Sequence, residues 1–317
     1  MSLRPTALLG PLLGAFALVL TAAPAPARPA PLADPVPPSP AAHAAGHPAA
    51  VRDVVAIAHR GASAYSPENT LAAVDAARDL GIIWVENDVQ RTRDGELVVL
   101  HDPTLSRTTN VEEVFPDRAP WNVADFTAAE IARLDAGSWF GPRYAGERVP
   151  TLAQFLDRIS DHHQKLLLEI KKPELYPGIE QDILDTLREE GWLDAYHVRR
   201  QLIVQSFSAD ALRRVHALKP AVKTGFLGTP DPDELSAYAR FADQINPRYT
   251  TVTSEYVDAV RAVRGPHGRR LEMFTWTVDD GPTAARMADL GVDGVISNRP
   301  DVVRDAVSAG DGAGDWR

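Results

Sequence analysis

The chain has 317 residues, 24% of them charged and 44% hydrophobic, with a formal net charge of −10. That acidic balance argues against a nucleic-acid backbone or an anionic membrane as a general partner, since both require a basic footprint. The absence of cysteine excludes disulfides, thiolate metal sites and cysteine nucleophiles.

At the N-terminus, Arg4 precedes an apolar run over 7–23, and the steps Ala23-Pro24-Ala25 and Ala25-Pro26-Ala27 follow. A short positive region, an apolar stretch and small-x-small steps read as a secretory signal peptide over residues 1–27. Cleavage after Ala27 is favoured, because a cut after Ala25 would leave a proline first. An uncleaved anchor helix is the alternative, but the run is short for a span and contains Pro11 and glycines. Residues 28–50 are rich in Pro and Ala and read as a disordered linker. No later apolar run is long enough to cross a bilayer, so no stable membrane insertion is expected after cleavage, and an extracytoplasmic location is. The remainder, 51–311, is expected to be one domain.

From residue 54 short β-branched runs alternate with helical periodicity, the pattern of βα units around a parallel sheet. Strands are expected at 54–58, 83–89, 165–170, 202–205, 222–227, 243–246, 272–276 and 294–296. The intervening helices are expected at 70–79, 152–160, 179–190, 209–218, 233–239, 254–263, 283–290 and 301–307, with Asn69 and Ser208 as N-caps. Eight units predict a closed TIM (β/α)8 barrel. The run 97–100 follows the second strand too closely for a crossover helix, and Asp94-Gly95 predicts a hairpin that carries His101 back over the barrel mouth. An insertion over about 103–150 then reads as a small cap above the strand ends. His162-His163 fall at a helix end, where they would cap it.

Catalytic groups of such barrels gather at the C-terminal ends of the strands. His59 and Arg60 end the first, Glu86 and Asp88 the second, Glu169 and Lys171 the third. Alternation places Glu86 and Asp88 on one face with Asn87 opposite, and Glu169 and Lys171 on one face with Ile170 opposite. Two imidazoles, a guanidinium and a carboxylate pair suit phosphodiester cleavage, which needs cationic help on the non-bridging oxygens, a base and an acid. Carboxylates beside an anion imply a cation between them. With no thiolate and the imidazoles assigned to proton transfer, Ca²⁺ or Mg²⁺ fits better than Zn²⁺.

These residues, in order, resemble the glycerophosphodiester phosphodiesterase family over nearly everything from Ala56 to Arg299. The match includes Ala58-His59-Arg60-Gly61, Pro67-Glu68-Asn69-Thr70, Glu86-x-Asp88, His101-Asp102, Arg107-Thr108-Thr109, Leu134-Asp135-Ala136-Gly137, Glu169-Ile170-Lys171, Gln205-Ser206-Phe207 and Trp276-Thr277-Val278. The resemblance implies Glu86, Asp88 and Glu169 as metal ligands, His59 and His101 as the acid-base pair, and Arg60 and Lys171 as the phosphate clamp. Glu68 would support the site near the metal or the first histidine. The implied substrate is a small glycerophosphodiester, hydrolysed to glycerol 3-phosphate and an alcohol, with a cyclic phosphate as a proposed intermediate.

Two departures stand out. Asn87 occupies a position that is usually apolar in the family and is expected to cap a neighbouring loop. The last strand runs into Ser297-Asn298-Arg299-Pro300, where the family more often has an acidic residue before the proline step, a change expected to have little effect on chemistry. Other readings remain for individual residues: Lys171 could make an ordinary salt bridge with Glu169, and Trp276 could be plain core or the wall of the alcohol pocket. Two other functions also stay open. A phospholipase D-like enzyme acting on lysophospholipids or sphingomyelin would need an apolar approach, for which Trp121, Phe126, Trp139, Phe140 and Tyr144 are candidates. A non-catalytic phosphodiester-binding protein would have no need of two histidines.

Overall fold

A computed structural model describes residues 54–308. The expected signal peptide and linker lie outside the described residues. The strands are β1 (Val55–Ala58), β2 (Trp84–Arg91), β3 (Leu97–Val99), β4 (Lys165–Ile170), β5 (Leu202–Ser206), β6 (Lys223–Leu227), β7 (Gln244–Asn246), β8 (Phe274–Thr275) and β9 (Gly294–Ser297). They pair in the order β7-β6-β5-β4-β2-β1-β9-β8, all parallel, while β3 returns antiparallel on β2 as the hairpin reading predicts. Isolated parallel bridges Gln244↔Glu272 and Arg248↔Trp276 join the two ends, so the barrel is nearly closed. The ladder is interrupted between those bridges because the Asn246 side chain takes a place in it: its Oδ1 accepts the Phe274 N–H at 3.1 Å. This reduces the strand expected at 272–276 to two residues.

The helices are α1 (Leu71–Asp79), α2 (Val111–Val114), α3 (Ala128–Ile131), α4 (Leu152–Asp161), α5 (Ile179–Glu189), α6 (Ala195–Arg200), α7 (Ala209–Leu218), α8 (Leu235–Tyr238), α9 (Ser254–Ala262), α10 (Gly281–Leu290) and α11 (Pro300–Ser308). Their period matches their packing. In α4 the buried Leu152, Phe155, Leu156 and Ile159 fall at helical spacing on one stripe. Full burial of each such side chain is worth about 1.5–3 kcal/mol. Thr151 and Gln154 cap the helix reciprocally, and His162 is its C-cap residue. Ser208 caps α7 as expected. The N-cap of α1 is Thr70, whose hydroxyl accepts from Ala73 N, and not Asn69, which is turned to another use described below. Helix α6 was not foreseen, and α8 is shorter than the expected 233–239.

Apolar layers lie on both sides of the sheet. Ile57, Leu167, Ile203, Phe274 and Ile296 plug the barrel, while residues such as Leu166, Leu168 and Ile183 fill the space between sheet and helices. The insertion has its own core around Leu105, Phe126, Ile131 and Leu134, shared with Val98 and Leu100 of the hairpin. It packs on the β2–β3 ribbon and reaches the loop that follows β1, where Tyr144 Oη donates to Tyr65 O at 2.6 Å and Arg107 holds Glu68. Asn87 is fully buried on the helix side of β2, and neither of its amide atoms finds a hydrogen-bond partner, so it does not cap a loop as expected.

Candidate active site

Sheet register assembles the site. Parallel pairing sets Asp88 beside Glu169, and Glu169 beside Gln205, all on the inner side of the barrel above the apolar plug. Glu86, Asp88 and Glu169 offer oxygens that lie within 4.8 Å of one another, and all three residues are buried. At the end of β1 the backbone leaves the extended conformation: Arg60 has φ +57° and Gly61 φ +79°. In an extended strand Arg60 would point away from His59, but the left-handed turn brings both side chains to the mouth. A Cβ at Gly61 would lie 2.5 Å from Ala73 Cβ and 2.7 Å from the Ala73 backbone, so only glycine lets the chain pass α1 here.

The cluster is held by opposite charge. Arg60 N donates to Glu86 Oε2 at 2.8 Å, and Arg60 Nε lies 3.3 Å from Asp88 Oδ2. Lys171 Nζ lies 2.7 Å from Glu169 Oε1 and 3.2 Å from Asp88 Oδ1. The salt bridge to Glu169 left open by the sequence is therefore present, in a lysine that also faces the pocket. Asn69 Nδ2 donates to Asp88 Oδ2 at 2.8 Å, the use that removes it from capping. Burial raises the carboxyl pKa values of Glu86 and Glu169, the latter to about 7, and their acidic neighbours add to the effect. Asp88 goes the other way: burial opposes its ionisation, but Lys171 and Arg60 together outweigh it and hold the carboxyl well below its usual range. Lys171 in turn is raised by Asp88 and Glu169 against the effect of burial.

That donor set fits a hard divalent cation. It consists of carboxylate oxygens only, and two of the three carboxyls are disfavoured as anions where they stand. A cation among them would favour the ionised form of both.

The two histidines face the same pocket with different partners behind them. His101 Nδ1 lies 2.6 Å from Asp102 Oδ1. Asp102 is gripped by Arg107 through Nε at 2.5 Å and Nη2 at 3.0 Å, and Arg107 also holds Glu68 at 2.8 and 2.7 Å. Glu68 completes the chain by accepting from Arg60 Nη1 at 2.8 Å. It thus supports the site through the arginines. His59 Nδ1 lies 2.6 Å from Asn298 Oδ1, and Asn298 is held by Asp279. A residue of the segment expected to matter little to the chemistry is therefore in direct contact with a histidine of the site. Burial, and next the Arg60 guanidinium, lower His59 to a pKa of about 4, while burial is also the largest cause lowering His101.

The pocket above these groups has a volume of about 450 Å³ and continues to a wall of Phe207, Leu227, Arg248, Tyr249 and Trp276. Trp276 is a wall residue, half-buried: its Nε1 donates to Asn246 O at 2.8 Å, its ring meets Phe207 edge-on at 5.5 Å, and Arg248 lies over it at 4.7 Å. None of Trp121, Phe126, Trp139, Phe140 and Tyr144 lines this pocket; Phe126 is buried in the insertion's core.

All nine residues singled out in the sequence gather at this end of the barrel or, for Glu68, one arginine behind it. Asn298, Asp279, Asp102 and Arg107 also belong with them and were given no site role, as were Asn69 behind Asp88 and the wall residues Phe207, Leu227, Arg248 and Tyr249. Asp102 and Arg107 stood in quoted motifs. Asn298 had a quieter signal, since pairing Ala58 with Ser297 makes His59 and Asn298 neighbours at the strand ends.

Fold and site together define a TIM-barrel hydrolase for phosphate diesters. The chain belongs to the glycerophosphoryl diester phosphodiesterase family, whose profile matches residues 59–302. It is 38% identical over 258 residues to a glycerophosphodiester phosphodiesterase of Caldanaerobacter subterraneus subsp. tengcongensis, covering 80% of this chain and 98% of the relative. A glycerophosphodiester phosphodiesterase of Bacillus subtilis is 35% identical over 263 residues, covering 78% and 85% of the two chains. Among solved structures, an Oleispira antarctica phosphodiesterase in complex with the product sn-glycerol-3-phosphate superposes with a TM-score of 0.67 at 30% identity, over 80% of this chain and 96% of that one.

Proposed function

We propose that the protein hydrolyses small glycerophosphodiesters to glycerol 3-phosphate and an alcohol, with Ca²⁺ or Mg²⁺ held by Glu86, Asp88 and Glu169. The observation that carries this reading is the buried carboxylate trio within 4.8 Å, set beneath two histidines and two cationic side chains in one pocket. When bound, the cation would neutralise the diester's charge and polarise phosphorus toward attack. Arg60 and Lys171 orient the non-bridging oxygens. One histidine takes the proton of the attacking glycerol 2-hydroxyl while the other protonates the departing alcohol oxygen, giving a five-membered cyclic phosphate. Water opens that ring with the two roles exchanged, so that one water is consumed and one alcohol released. The aromatic wall with Arg248 over it would receive the organic part of the substrate.

The same reading places the enzyme outside the cytoplasmic membrane, supported by the Arg4, apolar-run and Ala25-Pro26-Ala27 series. Among the described residues no helix is long and apolar enough to cross a membrane. The test of function is a screen of the purified protein with glycerophosphocholine, glycerophosphoethanolamine, glycerophosphoglycerol and a choline lysolipid, with free glycerol 3-phosphate as readout for the diesters and free choline for the lysolipid. Release from the water-soluble diesters is expected. Turnover confined to the lysolipid would overturn the assignment in favour of the phospholipase D-like reading.

A further inference from the structure

Asn298 and Asp279 have no part in the reaction as written, yet they stand directly behind His59. An asparagine amide can present either its oxygen or its nitrogen, and here the choice is forced. The Asp279 carboxylate can only accept, and it takes Asn298 Nδ2–H at Oδ2 and the Asn298 backbone N–H at Oδ1, both at 2.8 Å. Ser297 Oγ adds a third donor to Asp279 at 3.1 Å. The amide oxygen therefore faces His59, where it also accepts from Ser63 Oγ at 2.8 Å. An oxygen has no proton to give, so the proton on the 2.6 Å contact belongs to His59 Nδ1. In a neutral ring the lone pair is then on Nε2, the nitrogen left for the pocket.

We propose that Asn298, aligned by Asp279, is a positioning residue that locks His59 in the Nδ1–H tautomer and holds the ring in place without setting a negative charge against it. The contrast lies across the pocket, where His101 Nδ1 is backed by the Asp102 carboxylate. A carboxylate stabilises an imidazolium; an amide oxygen orients the ring with a far smaller electrostatic pull. The charges that do face His59 are Arg60 from its own strand end, Asp88 from β2, Glu68 from the loop before α1, and Asp279 one residue further back. They are of mixed sign, and Asn298 adds an uncharged contact among them.

The inference rests on His59 being a proton-transfer group, and its test includes a readout that does not depend on turnover. In full-length protein labelled with ¹⁵N-histidine, two-dimensional long-range spectra distinguish Nδ1–H from Nε2–H rings, and comparison with His59→Gln assigns the signal. The unmodified protein should show Nδ1–H at His59, and Asn298→Leu should lose that fixed tautomer. An Nε2–H ring in the unmodified protein, or a tautomer indifferent to Asn298→Leu, overturns the proposal. Failure of the underlying reading looks different: His59→Ala would then keep its activity while the tautomer result stands.

Kinetics supply the second arm. Asn298→Leu should lower kcat by between about tenfold and a thousandfold with KM within about threefold, since the ring is mis-set and not removed. Asn298→Asp alone puts two carboxylates at hydrogen-bond distance, and Asp279→Asn alone frees the amide to flip. The double variant N298D/D279N restores a donor–acceptor chain with the carboxylate turned to His59. It should be more active than either single variant, and the His59 ring, followed by its ¹⁵N shifts, should titrate about one pH unit or more above that of the unmodified protein. Full kcat in Asn298→Leu, or an unmoved His59 titration in the double variant, overturns the proposal.

Discussion

Lowering the pH from 8 to 6 sets protons against the cation for the three carboxylates. Glu169, with its pKa pushed up to about 7 by burial and by Asp88, is about nine-tenths ionised at pH 8 and about one-tenth ionised at pH 6. Since the ligand form is the carboxylate, cation affinity should rise with pH, and across this window Glu169 alone accounts for about a tenfold change. Glu86 is raised as well and would steepen the dependence, whereas Asp88, held ionised by Lys171 and Arg60, contributes nothing in this range. Titration calorimetry with Ca²⁺ and with Mg²⁺ at pH 6, 7 and 8, in buffers of different protonation enthalpy, measures both affinity and protons released. About one proton or more per cation is expected at pH 6, falling toward pH 8. Glu169→Gln should bind more weakly and show a flatter profile. Equal affinity at pH 6 and 8 with no proton release would refute the reasoning, as would unaltered binding in Glu169→Gln.

His59→Ala and His101→Ala should each reduce turnover about a hundredfold or more while elemental analysis finds cation content near that of the unmodified protein. Metal loss in either variant to the level of Glu86→Ala would make that histidine a ligand. Asn87→Val replaces a buried amide that has no partner and should raise unfolding free energy by about 1 kcal/mol in urea titrations, with kcat unchanged. A loss of stability would mean that the amide is satisfied in solution. The secreted protein should begin at or near Arg28, which N-terminal sequencing checks; an intact Met1 on exported material would reject cleavage there.

The parts of this molecule legible in the sequence are those governed by short periods. Alternation in β2 sets Glu86 and Asp88 on one face, and helical spacing in α4 sets its buried stripe, because both depend on residues only a few positions apart. The ends of the barrel were harder. Strand β8 is short because a side chain from β7 enters the ladder, an event encoded at Asn246 and not in the 272–276 run. Asn69 has the composition of a helix cap, but Asp88, nineteen residues on, competes for its amide and wins. Asn298 is 239 residues from its partner His59, and only the closure of the sheet makes them neighbours. Helix α6 could have been found from Asp194, whose carboxylate accepts from Tyr196 N and His197 N.

The turn at the end of β1 bears on how the site tolerates mutation. His59 and Arg60 serve one site although adjacent residues of a strand face opposite ways, and they do so because Arg60 is left-handed and Gly61 slips past Ala73 without a side chain. None of the three works without the others: the histidine and arginine need the bend, and the bend needs the glycine. A change at any one of the three positions is therefore expected to disable the site as a whole. In a saturation library of this gene, position 61 should tolerate substitution as poorly as the two positions before it, although its own atoms take no part in the chemistry.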